Sequence, residues 1–408
     1  MATGLRRRYA LYSSVSVMAE KNGKHAFNNF LVHRADKSDY VLVTVTLLLV
    51  AFGVLMVYSA GSYTGERIYG TEYFYVYKQL MGAALGCASM FLFSRIDYHV
   101  LHRLRFVILG VSVVLLAIVF LPGVGITNYG ARRWISLPFF TIQASEISKF
   151  GFIVFAAAYI GSHEKKITTF KGILPVVAVG GIICLLIILE PNMSVTICMA
   201  LLMIVMLFLG GAKIKHLLHI IVPLVALAVV LILIEPYRFA RLMAFLDPWE
   251  SPLEEGYQLI QSYYGLGAGG LFGVGLFNSR QKYLFLPFAE SDFIFSVIGE
   301  EFGLLGCAVV MVGYLFIIRR ALIISMGAPD RFGSLLASGI AAIIAIQVTV
   351  NIAVVTGSIP PTGLPLPFIS SGSSGLIVFM SGIGVLNSVK RRSHKSSMLL
   401  RSKLRIKN

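Results

Sequence analysis

A single acid, Asp292, closes the polar sequence SRQKYLFLPFAESDF (279–293) just where the chain turns into a long apolar run. A carboxylate at such a boundary is partly desolvated, which raises its pKa and suits it to take a proton from a hydroxyl near neutral pH. Glu290, two residues before it, pushes the same way by like-charge repulsion. Arg280 and Lys282 lie just upstream and add positive charge to the same stretch. The competing reading is structural, because an acid at the start of a helix also serves as a cap.

Other polar groups stand where apolar chain should exclude them. Glu146 and Lys149, in QASEISKF (143–150), are three residues apart on one helix face and can pair. By helical rise, Glu300 and Glu301 sit at the same depth as Lys149 in a later apolar run, about 13 Å below its end. The expectation is that Lys149 is shared between Glu146 and one of these two acids, for structure or for function. Arg132, Arg133 and Trp134 precede the Glu146 run, either anchoring a helix end at the membrane interface or binding phosphate oxygens. Asn351 and Gln347 would point amides toward SIPPTGLPLPFISSGSSG (358–375), whose prolines forbid regular helix, if their helix face is inward. Broken chain at membrane depth must line a cavity or be buried in protein, so this segment is expected to wall the site, the alternative being an ordinary loop that dips at the surface.

GLGAGG (265–270) fits the dinucleotide pattern GxGxxG, but it joins no strand to a helix in a βαβ unit. The glycines are read instead as places where backbone approaches a membrane or a ligand. Cys87, Cys184, Cys198 and Cys307 all fall in apolar runs without paired spacing, so neither a disulfide nor a metal site follows.

These groups need a membrane bundle to hold them. Of 408 residues, 57% are hydrophobic and 13% charged, with a mean hydropathy of +0.81, which excludes an ordinary soluble domain. Apolar runs long enough for a hydrocarbon core of about 30 Å occur at 39–61, 74–94, 104–121, 140–161, 173–190, 193–210, 216–235, 292–318, 332–357 and 368–389. The expected fold is an all-α polytopic membrane protein of ten transmembrane helices, with a large extracytoplasmic loop, 236–291, between the seventh and eighth. Most of the 35 Lys and Arg fall on the side that holds both termini, which orients the termini to the cytoplasm. The domain reading is a basic arm over 1–38, a membrane domain over 39–389 and a basic tail over 390–408. The net charge of +16 resides largely in the arm and tail, which meet anionic lipid; nucleic acid is not an expected partner. The arm lacks the apolar core and small-residue site of a cleaved signal. Within the large loop an amphipathic helix is expected near Leu253 to Leu266, either holding glycan and lipid tails or docking a partner.

GARRWI (130–135), SEISK (145–149), FLDPW followed by GYQLIQS, GLFGVGLFNSRQK (270–282), SDFIF (291–295) and TGLPLPFIS (362–370) occur in one order along the chain. In these motifs the sequence resembles the SEDS family (shape, elongation, division and sporulation), its division and sporulation branch more than the elongation branch. The resemblance implies a peptidoglycan glycosyltransferase that polymerises lipid II at the outer face of the cytoplasmic membrane. It implies as partners a class B penicillin-binding protein transpeptidase and other division or sporulation membrane proteins. The family's essential loop carboxylate matches Asp292, its Arg before Trp matches Arg133, and its buried ion pair matches Glu146 and Lys149. Three departures stand out: Ala144 replaces a proline, PNMS (191–194) lacks an expected acid at Asn192, and SSGSS (370–374) replaces a tyrosine-containing motif.

The implied chemistry needs one base, since a sugar diphosphate already carries its leaving group. Arg133, Trp134, Arg280, Lys282 and Glu290 are the expected substrate-binding residues, with Glu146, Lys149, Glu300, Glu301 and Asn351 in support. A divalent cation, Mg or Mn, is the alternative means of offsetting diphosphate charge. The rival functions are a lipid II flippase and a non-catalytic scaffold recruiting the penicillin-binding protein. Charges clustered in one half of the bundle favour the enzyme over the flippase.

Overall fold

The computed structural model describes residues 38–121, 124–128, 131–136 and 141–405. The basic arm before residue 38 and Gly130 of the GARRWI motif lie outside them. Each expected apolar run coincides with a helix: α1 (Tyr40–Tyr69), α2 (Phe74–Arg95), then a short α3 (His99–Arg103) leading into α4 (Arg105–Ile118). After these come α5 (Ala144–Ser162), α6 (Phe170–Leu189), α7 (Met193–Leu209) and α8 (Ile214–Ile234). The loop between spans folds as α9 (Pro236–Leu246), a 3-10 turn (Pro248–Glu250) and α10 (Tyr257–Gly269), followed by α11 (Ile294–Met326), α12 (Arg331–Val355) and α13 (Ser373–Arg405). Eight of these helices are long and apolar enough to cross a membrane, and α4 and α7 are shorter apolar helices. The chain is a multi-pass membrane protein.

Local chemistry sets the boundaries. Asp39 caps α1 by accepting from Leu42 N, and Gly70 ends it in the left-handed conformation at φ +72. Asn192 caps α7 by accepting from Val195 N at 3.3 Å, so an amide serves helix initiation where the family pattern has an acid. At the end of the bundle remote from Asp292, Asp39 also pairs with Arg320 of α11, and its amide donates to Asn387 of α13 at 2.9 Å.

Two features depart from the purely helical expectation. Residues preceding α5 form a three-stranded antiparallel sheet, β1 (Gly125–Asn128), β2 (Ala131–Ser136) and β3 (Thr141–Gln143), with Ile126 opposite Trp134 and Ile135 opposite Ile142. Alternating β-branched and aromatic residues favour this pairing, and α5 therefore starts at Ala144 instead of 140. The second departure is inside α11, where Gly303 adopts φ +66 and ψ −164 and breaks the helix. The carbonyls of Glu300 and Glu301, which Leu304 and Leu305 would satisfy in an intact helix, accept instead from Val274 N and Gly275 N at 2.9 and 3.0 Å. Leu304 N and Leu305 N donate to the carbonyls of Gly270 and Leu271. An irregular piece of the glycine-rich loop thus replaces the missing helical partners, as a break within an apolar environment requires.

The glycine run serves this approach and no ligand contact is needed to explain it. A Cβ on Gly269 would lie 1.9 Å from the Gly299 carbonyl oxygen, whereas one on Gly267 meets nothing within 4 Å. Gly269→Ala is expected to lower the thermal midpoint of the purified chain, at a cost of about 1–3 kcal/mol. Gly267→Ala should leave the midpoint level or raise it. Equal midpoints for the two variants would contradict this account of the run.

Packing places α5 at the centre, with both Glu146 and Lys149 buried, and leaves most of α8 exposed on the periphery. The proline-rich segment runs into the bundle and buries Leu364, Leu366, Phe368 and Ile369. Side chains satisfy its backbone: Gln347 Nε2 donates to Pro365 O at 2.9 Å, Gln79 Nε2 to Ser370 O at 3.2 Å, and Tyr314 OH to Pro367 O. Gly53 of α1 lets this segment lie close, since a Cβ there would stand 2.7 Å from the Ile369 Cα.

Candidate active site

Asp292 sits on a turn whose backbone is held from two sides. The carbonyls of Glu290, Ser291 and Asp292 accept in succession from Ser371 N (2.9 Å), Ser370 Oγ (2.6 Å) and Asn351 Nδ2 (2.8 Å). Asn351 also donates to the Leu364 carbonyl at 2.8 Å, so one amide on α12 joins the turn to the proline-rich wall. Gly363 stands directly against the acid: a Cβ there would lie 3.1 Å from Asp292 Oδ2. The helix that follows begins at Ile294 with Phe293 as its cap residue and no side-chain cap hydrogen bond. Asp292 is therefore not the helix cap that its position in the sequence allowed.

The carboxylate is partly accessible at the surface yet crowded by protein on its inner side. Burial, and then the charge of Glu290, push its pKa up to about 7, while Arg133, Arg241 and a hydrogen bond with Ser291 pull it down. Glu290 is itself buried and raised, with a Tyr75 hydrogen bond opposing the shift. Arg133 projects half-buried from β2, and its guanidinium donates to the carbonyls of Glu190 and Pro191 in the α6–α7 turn. That pins the sheet to the bundle on the Asp292 side.

Two further charges complete this end, and the sequence did not single them out. Arg241, on the inner face of α9, acts electrostatically on both Asp292 and Arg133 and lies 4.7 Å from the Tyr237 ring centroid. Its signal was the amphipathic spacing of RFARLMAFL (238–246), in which Phe239, Met243 and Leu246 are exposed and Arg238 and Arg241 share another face. Glu190 is fully buried, and neither carboxylate oxygen has a hydrogen-bond partner among the described residues. Burial drives its pKa to about 8 against the pull of Arg133. An acid next to a proline between two spans was the available signal.

Other expected residues fall elsewhere. Trp134 lies half-buried on β2, opposite Ile126 and Gln143. Lys282 is buried, with Nζ donating to Phe277 O at 2.6 Å and Ser59 Oγ at 3.3 Å and pairing with Glu301 at 3.5 Å. These contacts occupy the ammonium that was expected to meet substrate. Arg280 is exposed, and its amide donates to Glu300 Oε1 at 2.9 Å. Glu300 also accepts from Ser279 Oγ, and Glu301 from Ser59 Oγ and Ser279 N. The paired acids thus anchor the 279–282 turn beside the helix break.

The expected bridge from Lys149 to Glu300 or Glu301 is corrected by this geometry. Lys149 Nζ reaches Glu146 Oε1 at 2.7 Å and Gln347 Oε1 at 2.8 Å, linking α5 to α12. Equal depth did not make the acids partners, because they face the loop side of α11. Among the described residues no three His, Cys, Asp or Glu side chains converge as a metal-holding group.

The chain's relatives agree with this architecture. The model of the cell cycle protein family that groups FtsW, RodA and SpoVE matches residues 39–395. Stage V sporulation protein E of Bacillus subtilis (strain 168) is 40% identical over 358 residues, spanning 87% of this chain and 97% of the relative. A probable peptidoglycan glycosyltransferase FtsW of Geobacter sp. (strain M18) is 37% identical over 364 residues, covering 88% and 99% of the two chains. Among solved structures, a chain from a peptidoglycan synthase complex that coordinates polymerization and crosslinking superposes with a TM-score of 0.71 at 28% identity, covering 87% of this chain and 98% of that one.

Proposed function

Because the chain belongs to the FtsW, RodA and SpoVE family of cell cycle proteins, we propose that it is a peptidoglycan glycosyltransferase that polymerises lipid II, with Asp292 as general base. The observation that carries the mechanism is the setting of Asp292: a carboxylate fixed through its backbone, raised to about 7 by burial and by Glu290, and within electrostatic reach of the Arg133 and Arg241 guanidinium groups. At neutral pH a substantial fraction of such an acid is ionised and its affinity for a proton is far higher than that of an ordinary carboxylate.

In the proposed transfer the acceptor sugar's 4-hydroxyl attacks the donor's anomeric carbon. Its proton passes to Asp292, the bond from that carbon to the diphosphate oxygen breaks, and the lipid diphosphate leaves with the electron pair. Attack from the opposite face inverts the α linkage to β. Arg133 and Arg241 offset the charge that grows on the diphosphate. Arg280, exposed on the 279–282 turn, remains available to a bound chain, while Lys282 supports the turn from within. Asn351 and the Ser370 to Ser371 backbone are positioning groups that hold the base.

The charge bias supports a site facing outward with both termini in the cytoplasm. A class B penicillin-binding protein is the proposed partner, a reading supported by the likeness to a chain from a complex of polymerization and crosslinking. The direct test supplies purified lipid II to the full chain with its transpeptidase in detergent or vesicles and resolves products by gel. Glycan ladders are expected from the complex and none from the transpeptidase alone; no polymer under either condition overturns the assignment.

A further inference from the structure

At the end of the bundle opposite Asp292, a cavity of about 200 Å³ opens between the last turn of α2 and α13. It is lined by Ser94, Arg95, Ile96, Ser388, Arg391 and Arg392. We propose that this cavity binds the phosphodiester headgroup of an anionic phospholipid. The 22 residues of α2 separate it from the Asp292 end by ~33 Å of helical rise, so it is no part of the site already described.

The walls are fixed before any ligand arrives. Arg391 Nη1 donates to Ser94 O at 2.7 Å, and Arg392 Nη2 pairs with Asp97 Oδ2 at 2.6 Å. Ser388 Oγ donates to Ile96 O at 2.6 Å and accepts from Tyr98 N at 3.1 Å. These bonds clamp the chain from Ser94 to Tyr98 onto α13 and hold the two helix ends at a set separation. Arg95 is held differently: its guanidinium lies 4.8 Å from the Phe91 ring centroid, on an exposed part of the helix.

Charge then selects the ligand. Three guanidinium groups border one space, and the carboxylate of Asp97, itself shared with His99, pairs with one of them, Arg392. Such a cluster repels itself until an anion enters, and guanidinium forks fit the oxygens of a phosphate. The flank of the cavity distinguishes a lipid from a free ion. Phe91 and Leu92, one turn back along α2, are 61% and 55% exposed and form an apolar surface on the span itself. A headgroup in the cavity would lay its acyl chains along that surface, which a free phosphate would leave unused. Basic pockets between helix ends at a membrane boundary are suited to this class of ligand.

The test uses the full chain in nanodiscs of dioleoyl phosphatidylcholine, with or without dioleoyl phosphatidylglycerol. Thermal midpoints are measured there, and phospholipid retained on the protein is measured by native mass spectrometry. Wild type is expected to gain a higher midpoint with phosphatidylglycerol and to retain it in preference to phosphatidylcholine. Arg95→Gln should lose that preference by about tenfold, and Arg95→Lys, which keeps the charge but not the fork, should fall between. Arg95 is the tested position because Arg391 and Arg392 also hold backbone and Asp97. Lys165→Gln removes a charge from the same end of the bundle away from the cavity and should behave as wild type. The proposal fails if Arg95→Gln retains the lipid unchanged, if Lys165→Gln loses it equally, or if inorganic phosphate alone reproduces the stabilisation.

Discussion

Asp292→Asn is expected to lower the polymerisation rate by about 10²- to 10⁴-fold, the range for loss of a positioned general base, while leaving the folded chain intact. The substitution is isosteric, and the contacts that fix the turn are made by backbone carbonyls, which the amide does not alter. A structural acid and a catalytic one therefore separate cleanly. Loss of a structural acid lowers the thermal midpoint; loss of this base lowers kcat without lowering the midpoint, and above about pH 7 it removes the cost of a buried charge.

The pH profile adds a second, independent signature. The acid's pKa stands at about 7 in the fold against an ordinary value of 3.8, so the folded state favours the protonated form. That stabilisation is fully present below the ordinary value and is lost as pH rises through about 7. Activity runs the other way, since only the ionised base accepts a proton: the rate should climb with pH toward about 7 and level off above it. Wild type should thus lose some stability over the interval in which it gains activity; Asp292→Asn should abolish the activity trend and lessen the stability trend, the remainder coming from Glu190 and Glu290, whose buried carboxyls are also raised. A flat rate between pH 5.5 and 8, or a midpoint that collapses in the variant, would remove Asp292 from the chemistry. The pH values bracket the expected transition by about 1.5 units below and about one above.

The apolar runs and polar interruptions made the bundle legible because membrane spans are encoded locally: each needs its own stretch of some twenty residues and announces it. The proline-rich segment was legible for the same reason, since its prolines forbid helix wherever the chain goes. What escaped notice depended on azimuth and on contacts distant in sequence. Glu300 and Glu301 share a depth with Lys149, but which way a side chain points around its helix decides its partner, and Gln347 faces the ammonium. Arg241 acts on the site because the fold brings α9, about fifty residues earlier in the chain, within electrostatic reach of Asp292 and Arg133. The break at Gly303 was hidden by the unbroken apolar run around it, although three glycines at 299, 303 and 306 and two adjacent acids marked the place. Short strands next to a span gave a pattern too brief to separate from loop.

Lys149→Met should destabilise the chain by about 3–5 kcal/mol, the cost of stranding one member of a buried ion pair. Glu146 and Lys149 are 1% and 2% exposed, and Lys149 Nζ is a hydrogen-bond donor to both Glu146 Oε1 and Gln347 Oε1. Methionine fills similar volume, so the effect isolates the charge more than the packing. Adding Glu146→Gln to make the double variant should recover most of the lost thermal midpoint, because no carboxylate is then left without a counter-charge. Activity should recover less than stability does. Gln347 holds Lys149 through its oxygen and Pro365 O through its nitrogen, so the ammonium orients the amide that fixes the wall carrying Gly363 beside Asp292. In the double variant that amide loses its orienting partner even though no charge is stranded. Equal recovery of midpoint and polymerisation would show that the pair serves folding alone, whereas a double variant as unstable as the single one would mean that packing, not charge, sets the cost at this position.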